Sequence, residues 1–440
     1  MSHSHDRDIS VAALARVEGE GAMRVRIRDD HVEHVSLEIY EPPRFFEAML
    51  RGRTYLEPPD ITARICGICP VAYQLSAINA IEDALGVDAP PAIRVLRRLL
   101  YCAEWIESHV LHVFLLHAPD FLGYQSAIEM AADHHELVER GLRLRKLGNR
   151  LLEVVGGRAI HPINVRVGGF HRAPLVRELR ELLPELAWAL DAAQDTVRAV
   201  ATFPFPELNQ HHVYVALRPD RGVGGQADPG YPLEDGRVVA SDGLDIPVQQ
   251  WPRWFREDHV PHSTALHGRM VTGATYAVGP QARFALNADR LSPPAADLAA
   301  EVGLIAPERN PFRSILVRAV ELVEALSEAQ RLIEVYERPD EPAVAVEPRE
   351  GVGHGVTEAP RGILYHRYAI DAQGLITDAV ITPPTAQNQP AMEADLAGFV
   401  QRHVHLPDDE LQWQSEQAIR NYDPCISCST HFLTLEVDRG

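Results

Sequence analysis

The chain carries two Cys-x-x-Cys pairs, Cys66/Cys69 in the run R-I-C-G-I-C-P and Cys425/Cys428 in D-P-C-I-S-C-S-T-H, near opposite ends of its 440 residues. Thiols paired in this way predict one tetrathiolate metal site, so the fold has to bring the two ends of the chain together around it. A structural zinc site is the plainest reading of the spacing. Two features oppose it. Structural zinc pairs usually sit close together in small loop-rich modules, whereas these bracket a chain large enough to bury its own core. Arg64, Asp423 and His431 stand in the same runs, and a closed zinc site has no use for them. Soft thiolates suit nickel and iron equally well.

Composition narrows the reading further. Of the 5 cysteines, only Cys102 lies outside the pairs, in an apolar helical pattern that reads as core. No cysteine is left over for an iron–sulfur cluster, so electrons have to leave through another subunit. A formal net charge of -20 argues against nucleic acid or an anionic membrane as partner. No run of about eighteen apolar residues suggests a membrane span. Residues 1–8 lack the apolar centre of a signal peptide and read as a disordered lead with solvated histidines. No linker divides residues 9–431, which read as one continuous unit. Reduced thiols fit the cytoplasm.

Periodicity supplies the elements. Alternation over residues 23–39 around Asp29-Asp30 predicts a β-hairpin. A short helix is expected within 42–53. Beyond Pro91, Ile93, Leu96, Leu99, Leu100 and Ile106 share one helical face. A second helix is expected over 125–155, stopped by Gly156-Gly157, and a third over 174–201. Residues 202–267 read as irregular surface with short strands. Asn310-Pro311 is good chemistry for opening a long helix to about residue 337. A hairpin is expected around 371–374. The predicted fold class is mainly α, a long-helix bundle with small β-hairpins around a buried metal site. His109 and His112 lie one helical turn apart and could share a metal, but read as packing residues. The run G-V-G-H-G at 351–355 is no dinucleotide loop, because no strand leads into it and no ordinary helix follows.

The two cysteine motifs resemble the first and last signatures of the large, catalytic subunit of nickel-iron hydrogenases, and the resemblance runs from about Ile9 to His431. It implies that Cys66 and Cys425 are terminal nickel ligands, while Cys69 and Cys428 bridge nickel to an iron carrying carbon monoxide and two cyanides. The segment A-R-V-E-G-E is similar to the family's R-V-E-G, which makes Glu18 the acceptor of the proton from Cys425; alone it would be a turn carboxylate. Glu47 and His431 match residues that bind magnesium or a similar hard cation. E-A-P-R-G places Pro360 and Arg361 at the metals, the guanidinium bonding a cyanide nitrogen. P-T-A-Q-N places the Thr385 hydroxyl on the other cyanide, with Gln387 where the family usually has Trp. Asp120 aligns with an acidic residue lying over the metals, so that Arg361, Asp120 and Asp423 would form a charged cover. Tyr73 stands where a histidine commonly donates to a bridging thiolate, and a phenol can also donate. Tyr276 to Arg283 and Asn287 match a further family segment.

The activity implied is reversible heterolysis of H2 into a proton and a hydride. Details such as P-R-F-F-E-A and Y-D-P-C-I-S-C-S look most like the cytoplasmic NAD(P)-linked branch, sulfhydrogenases included. Such a chain works with an iron–sulfur small subunit and with diaphorase subunits that do the nucleotide chemistry, and itself holds neither an iron–sulfur cluster nor NAD(P). Family members often carry an extension past the histidine that an endopeptidase cuts after nickel chaperones have loaded the site, and residues 432–440 fit such an extension. Two other readings stay open. One is a quinone-site subunit related to respiratory complex I, which lacks the two cysteine pairs; the other is a non-catalytic scaffold holding zinc.

Overall fold

A computed structural model describes residues 6–220, 222–223 and 230–430. Its body is made of α1 (Pro70–Leu85), α2 (Pro91–Val110), α3 (His135–Gly156), α4 (Leu183–Val200), α5 (Ser314–Val335), α6 (Pro384–His403) and α7 (Asp408–Arg420). Helix α2 packs against both α3 and α5, and α4 covers another side of α5. Both α2 and α5 are buried along nearly their whole length, charged residues included, which puts them at the centre of the protein. Their charged residues are paired there: Arg97 meets Glu82 at 2.6 Å, and Arg98 meets Glu328 at 2.5 Å and Glu234 at 3.0 Å. The helical run Pro91–Leu122 is long and apolar enough to cross a membrane, yet most of its apolar stretch is buried inside the protein. It is a core helix.

Local chemistry sets several boundaries as the sequence predicts. Asn310 Oδ1 accepts from the Phe312 amide at 3.0 Å, and one tight turn, Pro311–Arg313, leads into α5. Helix α3 ends on Gly157 at φ 86. Elsewhere the expected helices are broken. The 125–155 span is two helices, Ala127–Asp133 and α3, parted at His134 with φ -123 and ψ 46. The 174–201 span splits into Val176–Arg180 and α4, with Pro184 in the first turn of α4, where its missing N–H costs nothing. After α2 the helix widens into a π turn, Leu111–His117. His109 turns to Glu321 at 3.0 Å and His112 to the Arg420 carbonyl at 2.8 Å, so the two rings serve different partners.

Antiparallel strands β1 (Arg7–Val11), β2 (Gly21–Arg28) and β3 (His31–Ile39) form one sheet, and Asp29 at φ 49 and Asp30 at φ 59 make its tight turn. Arg7 and Asp8 therefore pair with β2, although the sequence reading puts them in the lead. Residues 202–267 correct a further expectation. They contain β4 (Val213–Arg218), β5 (Arg237–Ala240), β6 (Phe255–Val260) and β7 (Ser263–Met270). Val215, Leu217, Val238, Trp251, Phe255 and Met270 are not surface but the buried centre of a second apolar cluster. Strands this short, parted by Pro and Gly, show too few turns of alternation to be read as core.

A three-stranded antiparallel sheet, β8 (Gly351–Ala359), β9 (Gly362–Ile370) and β10 (Ile376–Thr382), lies on α1. The G-V-G-H-G run is the start of β8, and its alternate glycines face the helix. A Cβ on Gly353 would stand 2.0 Å from the Ala80 carbonyl oxygen, and one on Gly355 would stand 2.2 Å from that of Ser76. With Ser76, Ala80 and Ala84 recurring every fourth residue, strand backbone touches helix backbone. That contact, rather than a phosphate, explains the glycines.

Candidate metal centre

Each cysteine pair is held at a chain turn by groups from elsewhere in the fold. Cys66 follows the short helical turn Ala63–Ile65, and Cys69 is the residue before α1, with Pro70 in its first turn. The first amides of α1 lack helical partners. Fully buried Glu104 of α2 supplies one, accepting from Val71 at 2.6 Å and from Ala72 at 3.1 Å. The amides of Ile68 and Cys69 donate to Cys66 Sγ at 3.2 and 3.3 Å. At the other end, Asp423 at φ 52 turns the chain out of α7 into Cys425. Thr385 Oγ1, in the first turn of α6, accepts from the Cys425 amide at 3.0 Å. Arg44 ties the two turns together: Nη2 donates to the Ile65 carbonyl at 2.7 Å and also to that of Ser427.

This brings the four sulfurs into one buried cluster. Cys66 and Cys425 are 3.5 Å apart, Cys69 and Cys428 3.6 Å, and Cys425 and Cys428 2.8 Å. All four are free cysteines. Burial pushes the Cys425 thiol well above its ordinary range, and the sulfurs of Cys428, Cys66 and Cys69 push the same way. The Cys66 thiol goes the other way, because the neighbouring thiols, Cys425 first, stabilise its charge. A dry cluster of this kind cannot hold four thiolates unaided; a divalent cation among the sulfurs lets the remaining protons leave. The donor set fits soft or borderline metals, nickel and iron among them.

Glu18 lies against this cluster. Its Oε2 accepts from Cys425 Sγ at 3.0 Å and from the Ser427 amide at 3.1 Å. Its backbone is tied to the same segment, the Ile426 amide donating to the Glu18 carbonyl at 2.9 Å. Gly19, at φ 88, permits the approach, since a Cβ there would stand 2.8 Å from that of Ile426. Arg16 donates to Asp120 at 2.5 Å and fixes the loop just ahead of Glu18.

Arg361 occupies the turn between β8 and β9. Its Nε donates to the Asp423 carbonyl at 2.7 Å and Nη2 to Asp423 Oδ1 at 3.3 Å. Nη1 is buried with no hydrogen-bond partner among the described residues. Burial raises the Asp423 carboxyl above its usual range, against the pull of Arg361. Fully buried Arg283 braces the turn: it meets Glu321 at 2.7 Å and Glu358 at 3.0 Å and donates to the Pro360 carbonyl at 3.0 Å. Asp120 is not paired with Arg361. It binds Arg420 through two bonds of 2.8 Å, with Arg16 on its other side. The Tyr73 hydroxyl reaches the main-chain carbonyl of Cys428 at 3.4 Å.

Glu47 accepts from the Ile381 amide at 2.7 Å, and burial raises its carboxyl to about 7. Burial raises Glu257 of β6 to about 8, with the charge of Glu47 adding to the effect. Two adjoining half-buried carboxylates therefore share this corner. His431 and residues 432–440 lie outside the described residues. Sequence reasoning missed Glu104, Arg44, Glu257 and Glu41, which accepts from the Ser427 hydroxyl at 3.1 Å. The run F-R-E-D-H-V at 255–260 does not alternate apolar and polar residues, so it carries no strand signal for Glu257; the other three pair with residues too distant in the chain to leave any pattern.

Comparison with known proteins agrees with this geometry. The family model described as nickel-dependent hydrogenase matches residues 44–155 and 294–431, spanning both cysteine pairs. Sulfhydrogenase 1 subunit alpha of Pyrococcus furiosus is 35% identical over 430 residues, covering 97% of this chain and 98% of its own length. The NAD-reducing hydrogenase HoxS subunit beta of Cupriavidus necator is 27% identical over 469 residues, covering 97% and 95%. A solved NAD+-reducing NiFe-hydrogenase in the H2-reduced state matches with a TM-score of 0.85 at 27% identity, over 97% of this chain and 99% of that one. These matches favour neither the zinc scaffold nor the quinone-site subunit. With four cysteines gathered for a metal and that fold around them, the chain belongs to the nickel-dependent hydrogenases, as their catalytic large subunit.

Proposed function

We propose that Cys66, Cys69, Cys425 and Cys428 hold a nickel-iron centre with carbon monoxide and two cyanides, and that the electrons of H2 pass through an iron–sulfur small subunit to NAD(P) in a cytoplasmic complex. In this reading all four thiolates would hold the centre, Cys66 and Cys425 serving nickel alone and Cys69 and Cys428 shared with iron. When bound, the metal pair supplies the Lewis acidity that polarises H2 toward a proton and a hydride.

The observation that carries the catalytic reading is the 3.0 Å contact of Cys425 Sγ with Glu18. A sulfur that takes a proton needs an acceptor within hydrogen-bond reach, and Glu18 is that acceptor. Ser427 leads outward: its amide holds Glu18, and its hydroxyl donates to half-buried Glu41 at 3.1 Å. Arg361 Nη1, a buried donor without a protein partner, suits a cyanide nitrogen. Thr385 already accepts from the Cys425 amide, so its O–H remains free to donate to the second cyanide. Pro360, next to Arg361 in the same turn, would line the cyanide site, its carbonyl held by Arg283. Arg361 and Asp423 form the charged cover, and Asp120 supports it by holding Arg16 and Arg420. Glu47 and His431 would hold magnesium or a similar cation; the second half-buried carboxylate, Glu257, supports a divalent charge at this corner.

Full-length similarity to NAD-reducing hydrogenases supports the branch, and the cysteine count supports the partners. Diaphorase subunits would do the nucleotide chemistry, with nickel chaperones and an endopeptidase acting in maturation. The test is H2-dependent reduction by the intact complex, with NAD+, NADP+ and elemental sulfur offered separately. Reduction of NAD+ or NADP+ is expected. Uptake of H2 without reduction of either nucleotide overturns the branch, and nucleotide reduction by this subunit alone overturns the need for partners.

A further inference from the structure

Away from the cysteines, the turn between β6 and β7, strand β7 and the middle of α6 bring together His262, His267 and Glu393. One ligand atom from each lies within 4.8 Å of the others. His262 Nε2 is 2.7 Å from Glu393 Oε1, and the same oxygen accepts from the Leu37 amide at 3.0 Å. That pair alone would be an ordinary half-buried ion pair. His267 is different. It is only 1% exposed, yet both ring nitrogens are buried with no hydrogen-bond partner among the described residues. Leaving a buried polar group unpaired is costly, and native structures almost always satisfy such groups with protein, water or an ion.

The backbone has been bent to make this arrangement. Residues five apart on a regular strand face opposite sides. Here β7 shifts register between Ser263 and His267, and this irregularity turns both rings toward α6. A second buried acceptor without a partner, Gln389 Oε1, lies one turn ahead of Glu393 on α6, and the Gln389 amide nitrogen reaches Ser263 Oγ at 3.4 Å.

We propose that His262, His267 and Glu393 form a second metal site, for a divalent transition cation of the zinc type, distinct from the four-cysteine cluster. Two imidazoles and a carboxylate are a borderline donor set that suits zinc, and three protein ligands leave a fourth position for water. Solvent can reach that position, because the His262 and Glu393 side chains are 25% and 18% exposed. Burial lowers His267 to about 4, so the ring is neutral and its lone pair is available near pH 7. A bound ion would clamp the β6–β7 hairpin to α6, the helix whose first turn holds Cys425 through Thr385.

The test uses the intact, untagged complex exposed to micromolar zinc, desalted and analysed for metals. Wild type should keep one zinc per catalytic chain beyond its nickel and iron. His262→Ala and Glu393→Gln should bind zinc at least about tenfold more weakly with nickel content unchanged. His262 is half-buried at a turn, so its removal leaves the core intact and decides the matter if His267→Ala misfolds. X-ray absorption at the zinc edge should show imidazole and oxygen donors whose signal disappears in His262→Ala. Equal zinc in wild type and His262→Ala, or sulfur in the zinc shell, overturns the proposal.

Discussion

Replacing Glu18 by glutamine isolates proton transfer from every other property of the centre. The carboxylate makes two contacts, with Cys425 Sγ at 3.0 Å and the Ser427 amide at 3.1 Å. A glutamine oxygen can occupy the same place and keep the amide bond, so the local fold and the sulfur cluster should survive. It cannot take up a proton near neutral pH. If Glu18 is the acceptor, H2 oxidation and H/D exchange between H2 and deuterated water should fall by about a hundredfold or more, equivalent to roughly 2.7 kcal/mol of barrier. Glu18→Asp is a graded control. It withdraws the carboxylate by about 1.5 Å, opening the 3.0 Å contact to about 4.5 Å, where a water has to bridge and the loss should be smaller. Mass spectrometry of isotope exchange on samples matched for nickel measures both variants. Exchange close to wild type in nickel-replete Glu18→Gln would refute the assignment.

Gly353→Ala should destabilise the subunit by about 3 kcal/mol, because its Cβ would stand 2.0 Å from the Ala80 carbonyl oxygen; a urea midpoint unchanged from wild type would contradict this backbone contact. In the metal-free subunit Glu47 is raised from 4.5 to about 7 by burial, so between those values the folded state holds a proton that the unfolded chain has released. Stability should therefore fall by roughly 3 kcal/mol as pH rises through that window, and level off above it. Glu257, raised to about 8, extends the fall, while magnesium or Glu47→Gln should flatten it in urea titrations; a slope untouched by either counts against a cation corner. Arg361→Gln leaves Asp423 buried without its cation, which should lower stability by about 3 kcal/mol and shift the cyanide stretching bands; unshifted bands in a nickel-loaded variant would remove Arg361 from the cyanide.

What could be read from the sequence was whatever local chemistry dictates. The cysteine pairs, the Asp29-Asp30 turn and the Asn310-Pro311 helix start are each written within a few adjacent residues. The break at His134 was not legible, since neither proline nor glycine stands there and tertiary packing decides it. The groups that hold the cluster were hidden for a related reason. Glu104 accepts from a helix amide 33 residues before it, and Arg44, besides the Ile65 carbonyl, reaches one 383 residues from itself. Asp120 aligned with an acidic residue over the metals, but only the structure shows that its carboxylate is spent on Arg16 and Arg420. His262 and His267 were hidden by their odd spacing, which a register shift undoes.

The central claim is that these four cysteines hold nickel and iron rather than a structural zinc. Infrared spectroscopy of the purified complex in the carbonyl and cyanide stretching region, on a sample assayed for nickel, tests it most directly. The account predicts one carbonyl band and two cyanide bands from a subunit carrying one nickel per chain, all lost in Cys425→Ser. Zinc bound at the four cysteines, with no such bands, would contradict it.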